Sequence, residues 1–268
     1  MVRSHSPSPT LTNMSRTIVP KAGRAAVAAL LSLGLALPSA PAAAAAGFAL
    51  TINGVDASAY PAVSARVTVL NDQGRPALGL KPGDFEITED GQRAQSVEVA
   101  PFVDDQEPLA VVVVADMSGD LDSQTVTAIR SAGARLFAGL GEHGPASLFA
   151  FADQPRLVHG FTGDRSSLSR SLNGLTAAGN TAFYDALFAA VEYASQSGVR
   201  RTFVAVITDG NDTSSKAALQ DGIGLARQKG IPVSTIGVGS AVNKQVLEQI
   251  ASSTGGWSVI NPANAELD

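Results

Sequence analysis

The sequence predicts an α/β protein: a mostly parallel, doubly wound sheet with helices on both faces, preceded by a small all-β module. Three observations predict it. Residues 109–115, Leu-Ala-Val-Val-Val-Val-Ala, are a continuous apolar and mostly β-branched run, as a strand buried on both faces requires. Beyond this run the chain alternates strand and helix patterns, which implies parallel pairing through helical crossovers. Before it, residues 48–103 carry only short strand patterns.

The chain opens with an address. Arg16, Lys21 and Arg24 precede an apolar run over residues 25–37, followed by Pro38, Pro41 and the small-residue stretch 42–46. A basic start, an apolar segment of ~7–15 residues and an Ala-x-Ala site are the marks of a secretory signal. Residues 1–46 are therefore expected to be a signal peptide cleaved near Ala46, with Met14 an alternative start to Met1. The run falls short of the ~20 apolar residues of a membrane span. An uncleaved anchor is the alternative, and membrane contact is expected only in that case.

The β-module over 48–103 begins to show alternation at residues 63–70, which break at Asn71-Asp72-Gln73-Gly74. Phe85-Glu86-Ile87-Thr88 alternates again and runs into Asp90-Gly91, a dipeptide that favours a tight hairpin turn. Residues 95–100 are predicted to return as a strand. Residues 104–108 are a polar linker.

In the α/β part, helices are predicted over 123–140, 165–172 (capped by Asp164), 182–195, 216–229 (stopped by Gly230 and Pro232) and 244–251. Strands are predicted over 146–151, 157–161, 202–208, 233–238 and 257–260.

Charge and composition exclude several functions. The 268 residues carry a formal net charge of −5, with 19 Lys+Arg against 24 Asp+Glu. Arg3, Arg16, Lys21 and Arg24 are the only charged residues among the first 47, so the remainder stands at −9. That argues against nucleic-acid binding, which needs a basic footprint. The absence of Cys removes disulfides, thiolate catalysis and Cys-zinc sites, and three His leave little room for a His-based metal cluster.

The chemistry is expected where strands end, because open α/β sheets bind ligands beyond the carboxyl ends of their strands. The strand over 109–115 runs into Asp116-Met117-Ser118-Gly119-Asp120, and the strand over 202–208 into Asp209-Gly210-Asn211-Asp212. Between them, Gly179-Asn180-Thr181 opens a helix. Asp, Ser and Thr oxygens from three loops, with no His or Cys, suit a hard cation such as Mg²⁺.

These residues resemble the metal-ion-dependent adhesion site of von Willebrand factor type A domains, whose signature is Asp-x-Ser-x-Ser, a distant Thr and a distant Asp. The likeness runs from residue 109 to about 264, including Gly179-Asn180-Thr181-Ala182 and Val206-Ile207-Thr208-Asp209-Gly210. The β-module is similar to the N-terminal part of bacterial secreted proteins of the same kind, through Asn71-Asp72-Gln73-Gly74-Arg75-Pro76 and residues 84–91. The resemblance implies a metal site of Asp116, Ser118, Asp120, Thr181 and Asp209, holding Mg²⁺ or Mn²⁺. It further implies an open coordination position that a partner's acidic side chain commonly fills. The expected function is cation-dependent binding of a protein partner in the cell envelope, the periplasm or outside the cell, without catalysis.

Two departures qualify the resemblance. Asp120 stands where the family has Ser. It either ligates, tightening cation binding, admitting Ca²⁺ and weakening capture of an acidic ligand, or points to solvent near a helix N-terminus. Residues 261–268 also stop where the family's final helix begins, so that helix is expected to be missing and the family's allosteric switch is not carried over.

Simpler readings compete at each position. Asp116, Ser118 and Thr181 are also consistent with helix caps, and Asp209 with a turn. Asp185 reads as a helix-dipole or supporting residue, Asp212 as a turn or cap, His143 and His159 as structural, and Trp257 as packing at the last strand. Ser118 lacks the flanking glycines of a nucleophile elbow, and no phosphate-binding Gly-x-x-x-x-Gly-Lys-Ser/Thr is present. Thr213, Ser214 and Gln220 break an EF-hand reading of the run from Asp209. The alternatives left open are a scaffold with a vestigial metal site and a metal-assisted phosphohydrolase using Asp116.

Overall fold

A computed structural model describes residues 15–20, 29–32 and 47–262, apart from 57–61, 73, 90–91, 95, 100–107 and 141–143. Within the expected leader, Ser15–Pro20 (β1) and Ala29–Ser32 (β2) are strands, while the stretch 42–46 lies outside the described residues. β1 pairs antiparallel with β2 and with Phe85–Glu89 (β5). A second antiparallel pair joins Phe48–Asp56 (β3) to Ser64–Asn71 (β4). Leu50, Val69 and Phe85 form the small core of this module.

β5 pairs with Gln92–Arg93 (β6), Glu89 opposite Gln92, which is the register of the expected hairpin; Asp90 and Gly91 lie outside the described residues. The strand expected over 95–100 does not form among the residues described there. Ser96 and Glu98 are exposed while Val97 and Val99 are half-buried. The alternation thus reports burial of Val99 against the module core, without a partner strand.

The main sheet contains Leu109–Asp116 (β7), Ala146–Phe151 (β8), Pro155–Thr162 (β9), Arg201–Thr208 (β10), Val233–Gly237 (β11) and Ser258–Ile260 (β12). Its order is β12-β11-β10-β7-β8-β9, parallel throughout except for β9, which runs antiparallel to β8 at the edge. All eight residues of β7 are buried. Val111, Val113 and Ala115 face Ser123–Gly139 (α1) and Arg165–Asn173 (α2), meeting Ile129, Phe137, Leu168 and Leu172. Val112 and Val114 face the other way, onto Phe183–Ala194 (α3), Leu219–Lys229 (α4) and Lys244–Thr254 (α5). A central strand covered on both faces needs apolar residues at every position, which explains the unbroken run.

Two helix starts differ from expectation. α3 begins at Phe183 with no side-chain cap from its own flank, and α4 begins at Leu219, three residues later than its sequence suggests. In both places a side chain distant in sequence, from a loop at α3 and from α3 itself at α4, holds the residues involved, as described below. His159 is structural: its ring nitrogens lie 2.8 Å from the Gly160 carbonyl and 3.2 Å from Ser167 Oγ. Trp257 packs half-buried against the core. His143, residues 104–107 of the expected linker and residues 263–268 lie outside the described residues.

Candidate metal centre

Parallel pairing of β7 with β10 sets Ala115 opposite Ile207, so the next residues, Asp116 and Thr208, meet at the carboxyl end of the sheet. Thr208 Oγ1 donates to Asp116 Oδ2 at 2.6 Å and accepts from the Gly210 N–H at 3.0 Å. The other carboxylate oxygen, Asp116 Oδ1, accepts from Ser118 Oγ at 2.6 Å and from the Ser118 N–H at 3.0 Å. Asp116 and Ser118 are both fully buried. Burial pushes the Asp116 carboxyl up to about 6, against the hydrogen bonds from Ser118 and Thr208; the nearby Asp209 charge adds to the rise.

Three loops, two that follow β7 and β10 and one that joins α2 to α3, are stapled together by backbone. Gly119 N–H donates to the Gly179 carbonyl at 2.9 Å, and Ala178 N–H to the Met117 carbonyl at 2.9 Å. The Thr181 carbonyl accepts from the amides of Thr213 and Ser214 at 2.8 and 3.1 Å, and the Thr181 N–H donates to Thr213 Oγ1 at 3.0 Å. Asp153 holds the middle loop through Asn180, accepting from its amide at 2.8 Å and its side chain at 2.9 Å.

Thr181 is buried, and its hydroxyl donates to Asp120 Oδ1 at 3.3 Å. It does not cap α3. That task falls to Asp212, which accepts from the Tyr184 N–H at 3.1 Å and so bears out its reading as a cap. Asp120 does not cap α1 either: Asp122 accepts from the Thr125 N–H at 2.7 Å, a bond that lowers its carboxyl below the ordinary range. Asp185 supports the third loop, accepting from the amides of Lys216 and Ala217 at 3.1 and 2.8 Å, which keeps these residues out of α4. Asp209 is half-buried and holds Asn211 through the amide and the side chain, both at 2.9 Å.

The arrangement therefore joins Asp116 to Ser118 and Asp120 to Thr181 by direct hydrogen bonds, and sets Asp209 near enough to act on Asp116 by charge. Ser118 and Thr181 each direct the hydroxyl proton at a carboxylate, which leaves oxygen lone pairs for a cation. Carboxylates and hydroxyls alone fit a hard divalent ion, and among the described residues no positive charge offsets the burial of Asp116. No group of three or more His, Cys, Asp or Glu positioned to hold a metal occurs among the described residues, so the hydroxyls are essential to the candidate set. Sequence reasoning missed Thr208, Thr213 and Asp153. Only Thr208 had a legible signal, as the last residue of an apolar strand one step before Asp209.

Comparison with known proteins bears on the fold. The von Willebrand factor type A domain matches residues 110–267. An uncharacterized protein of Synechocystis sp., sll0103, is 29% identical over 184 residues, covering 65% of this chain; the chain spans only 44% of that relative's length. The von Willebrand factor type A structure from Catenulispora acidiphila superposes with a TM-score of 0.53 at 16% identity, over 95% of this chain and 47% of that one. The manganese-loaded Plasmodium vivax TRAP protein gives a TM-score of 0.51 at 16% identity, over 60% of this chain and 71% of that one. These structural likenesses show a shared fold, and the family match covers more than half the chain. The chain belongs to the von Willebrand factor type A domain family.

Proposed function

We propose that the protein is an exported interaction module. Asp116, Ser118, Asp120, Thr181 and Asp209 bind a divalent cation, Mg²⁺ or Mn²⁺, with Ca²⁺ admitted by Asp120. The bound ion supplies an open coordination position for an oxygen of a protein partner in the cell envelope or outside the cell. The observation that supports this most is the polarity of the hydroxyls. Ser118 and Thr181, from two different loops, both turn their protons to carboxylates and their lone pairs away from them. The manganese carried by the TRAP neighbour is consistent with the choice of ion.

The role is binding, not turnover. Asp116 is buried and fixed by three donated hydrogen bonds, which suits a ligand held in place better than a nucleophile that must reach a substrate. The same self-contained network favours a second reading, a scaffold that needs no ion. Export is proposed from the leader over residues 1–46; no helix among the described residues is long and apolar enough to cross a membrane.

Thermal melting of the full chain in EDTA and in Mg²⁺, Mn²⁺ or Ca²⁺ separates the two readings. A ligand at 100 times its dissociation constant stabilises the folded state by about 2.7 kcal/mol, expected here as a rise in Tm of several degrees. Loss of that rise in Asp209→Ala is expected as well. No shift with any of the three ions overturns the cation reading and leaves the scaffold.

A further inference from the structure

Thr181 is a candidate ligand whose backbone is fixed by a loop other than its own. Its N–H donates to Thr213 Oγ1 at 3.0 Å, and its carbonyl accepts from the Thr213 and Ser214 amides at 2.8 and 3.1 Å. Thr213 thus meets both sides of one residue, its hydroxyl oxygen on the amide and its own amide on the carbonyl. Thr181 is buried, whereas Thr213 is exposed. An exposed side chain adds little packing, so the bond its hydroxyl accepts is the distinctive contribution of Thr213.

The loop that carries Thr213 is fastened in its turn. It leaves β10 at the candidate ligand Asp209 and reaches α4 at Leu219. Asp212 Oδ1 accepts from the Tyr184 N–H at 3.1 Å and from Ser215 Oγ, and Ser215 Oγ accepts from the Asp185 N–H at 3.0 Å. The Asp185 carboxylate returns the contact, accepting from the Lys216 and Ala217 amides at 3.1 and 2.8 Å. The loop and the first turn of α3 therefore hold each other in both directions, and Thr181 lies just ahead of that turn. This clasp leaves the Thr181 hydroxyl, bonded to Asp120 Oδ1 at 3.3 Å, little freedom to follow ions of different size.

We infer that Thr213 is a positioning residue: its hydroxyl fixes Thr181 in the cation site and so favours the small ion Mg²⁺ over the larger Ca²⁺. The inference rests on the cation-binding reading above. Mg²⁺ demands near-octahedral ligands at about 2.0–2.1 Å, whereas Ca²⁺ accepts about 2.3–2.6 Å in a flexible geometry. A loosened Thr181 therefore weakens Mg²⁺ more than Ca²⁺. Groups that orient a metal ligand without touching the metal change affinity by about 10- to 100-fold.

The test compares the full chain with Thr213→Val, which removes the acceptor at similar shape, and with Thr213→Ser, which keeps the acceptor. Calorimetric titration is expected to show Mg²⁺ affinity falling at least about tenfold in Thr213→Val, and Ca²⁺ affinity less than about threefold. Thr213→Ser stays within about twofold of the unaltered protein for both ions. Thr213→Ala, a second variant without the acceptor, is expected to match Thr213→Val. Hydrogen exchange in EDTA reads the positioning without metal: the Thr181 amide exchanges at least about tenfold faster in Thr213→Val, and at the unaltered rate in Thr213→Ser. A general loss of stability lowers the two affinities together, so their ratio separates positioning from folding. Equal losses for the two ions, undiminished Mg²⁺ affinity, a serine variant as impaired as the valine one, or unchanged Thr181 exchange overturns the inference alone. Uptake of no ion by the unaltered protein overturns the cation reading and this inference with it.

Discussion

Asp116 is pulled in two directions. Three donated hydrogen bonds favour its charged form, yet burial outweighs them and its carboxyl rises from 3.8 to about 6. Between these values the folded chain holds a proton that the unfolded chain has released. The stability associated with this residue is therefore fully present below pH 3.8, falls as pH rises through about 6, and is lost above it. The span corresponds to about 3 kcal/mol. Asp122 shifts the opposite way, so the Asp116 contribution is isolated by comparison with Asp116→Asn, which cannot ionise. In EDTA, urea denaturation is expected to show the variant gaining about 2 kcal/mol relative to the unaltered protein between pH 4.5 and pH 7.5. A difference that stays flat with pH contradicts the account. Mg²⁺ added at the higher pH is expected to stabilise the unaltered protein and leave the variant unmoved.

At the scale of elements, the candidate site depends on how three loops are stapled together. Gly179 sits at φ +85, and a Cβ there would lie 2.4 Å from the Asp153 carboxylate that holds Asn180. Gly179→Ala is therefore expected to destabilise the protein by about 1–3 kcal/mol, read as a lower urea midpoint. An unchanged midpoint would mean that the loop yields freely. The sequence made the sheet legible because β7 and the middle of β10 are apolar at consecutive positions, and no surface element tolerates that. It also placed Asp116, Ser118 and Asp209 at or just beyond the ends of two apolar strands, and Thr181 just ahead of a helix. Other features depend on tertiary contacts that local patterns do not encode. α3 is capped by Asp212 from another loop, and residues 216 and 217 are held out of α4 by Asp185. The alternation over 95–100 is a burial pattern, and burial does not require a partner strand. Thr208 acquires its role only when β10 lies in register beside β7.

The whole molecule has two working ends. The candidate metal centre lies at the carboxyl ends of the strands, and the β-module touches the opposite end. Arg66 Nη1 donates to the Arg200 carbonyl at 3.0 Å, just before β10 begins, and Thr68 Oγ1 donates to the Gly255 carbonyl at 2.5 Å, just after α5 ends. β10 separates the ends by its eight residues, about 26 Å. α5 also spans the distance, because the Asn243 N–H at its start donates to the Asp209 carbonyl at 2.7 Å. A single helix thus touches both the loop of a candidate ligand and the β-module, so the two ends are either independent or coupled through it. Packing favours independence: Leu247 and Ile250 of α5 are fully buried against the sheet, leaving the helix little room to slide. Thr68→Val is then expected to lower stability by about 1 kcal/mol through the lost hydrogen bond. Its effect should be the same in EDTA and in saturating Mg²⁺, within about 0.5 kcal/mol, as for sites more than about 10 Å apart. Coupling is reciprocal, so an effect of Thr68→Val that changes with Mg²⁺ would have to appear equally as a change in cation affinity. Finding both changes together would overturn independence and assign α5 the part of transmitter between the β-module and the metal centre.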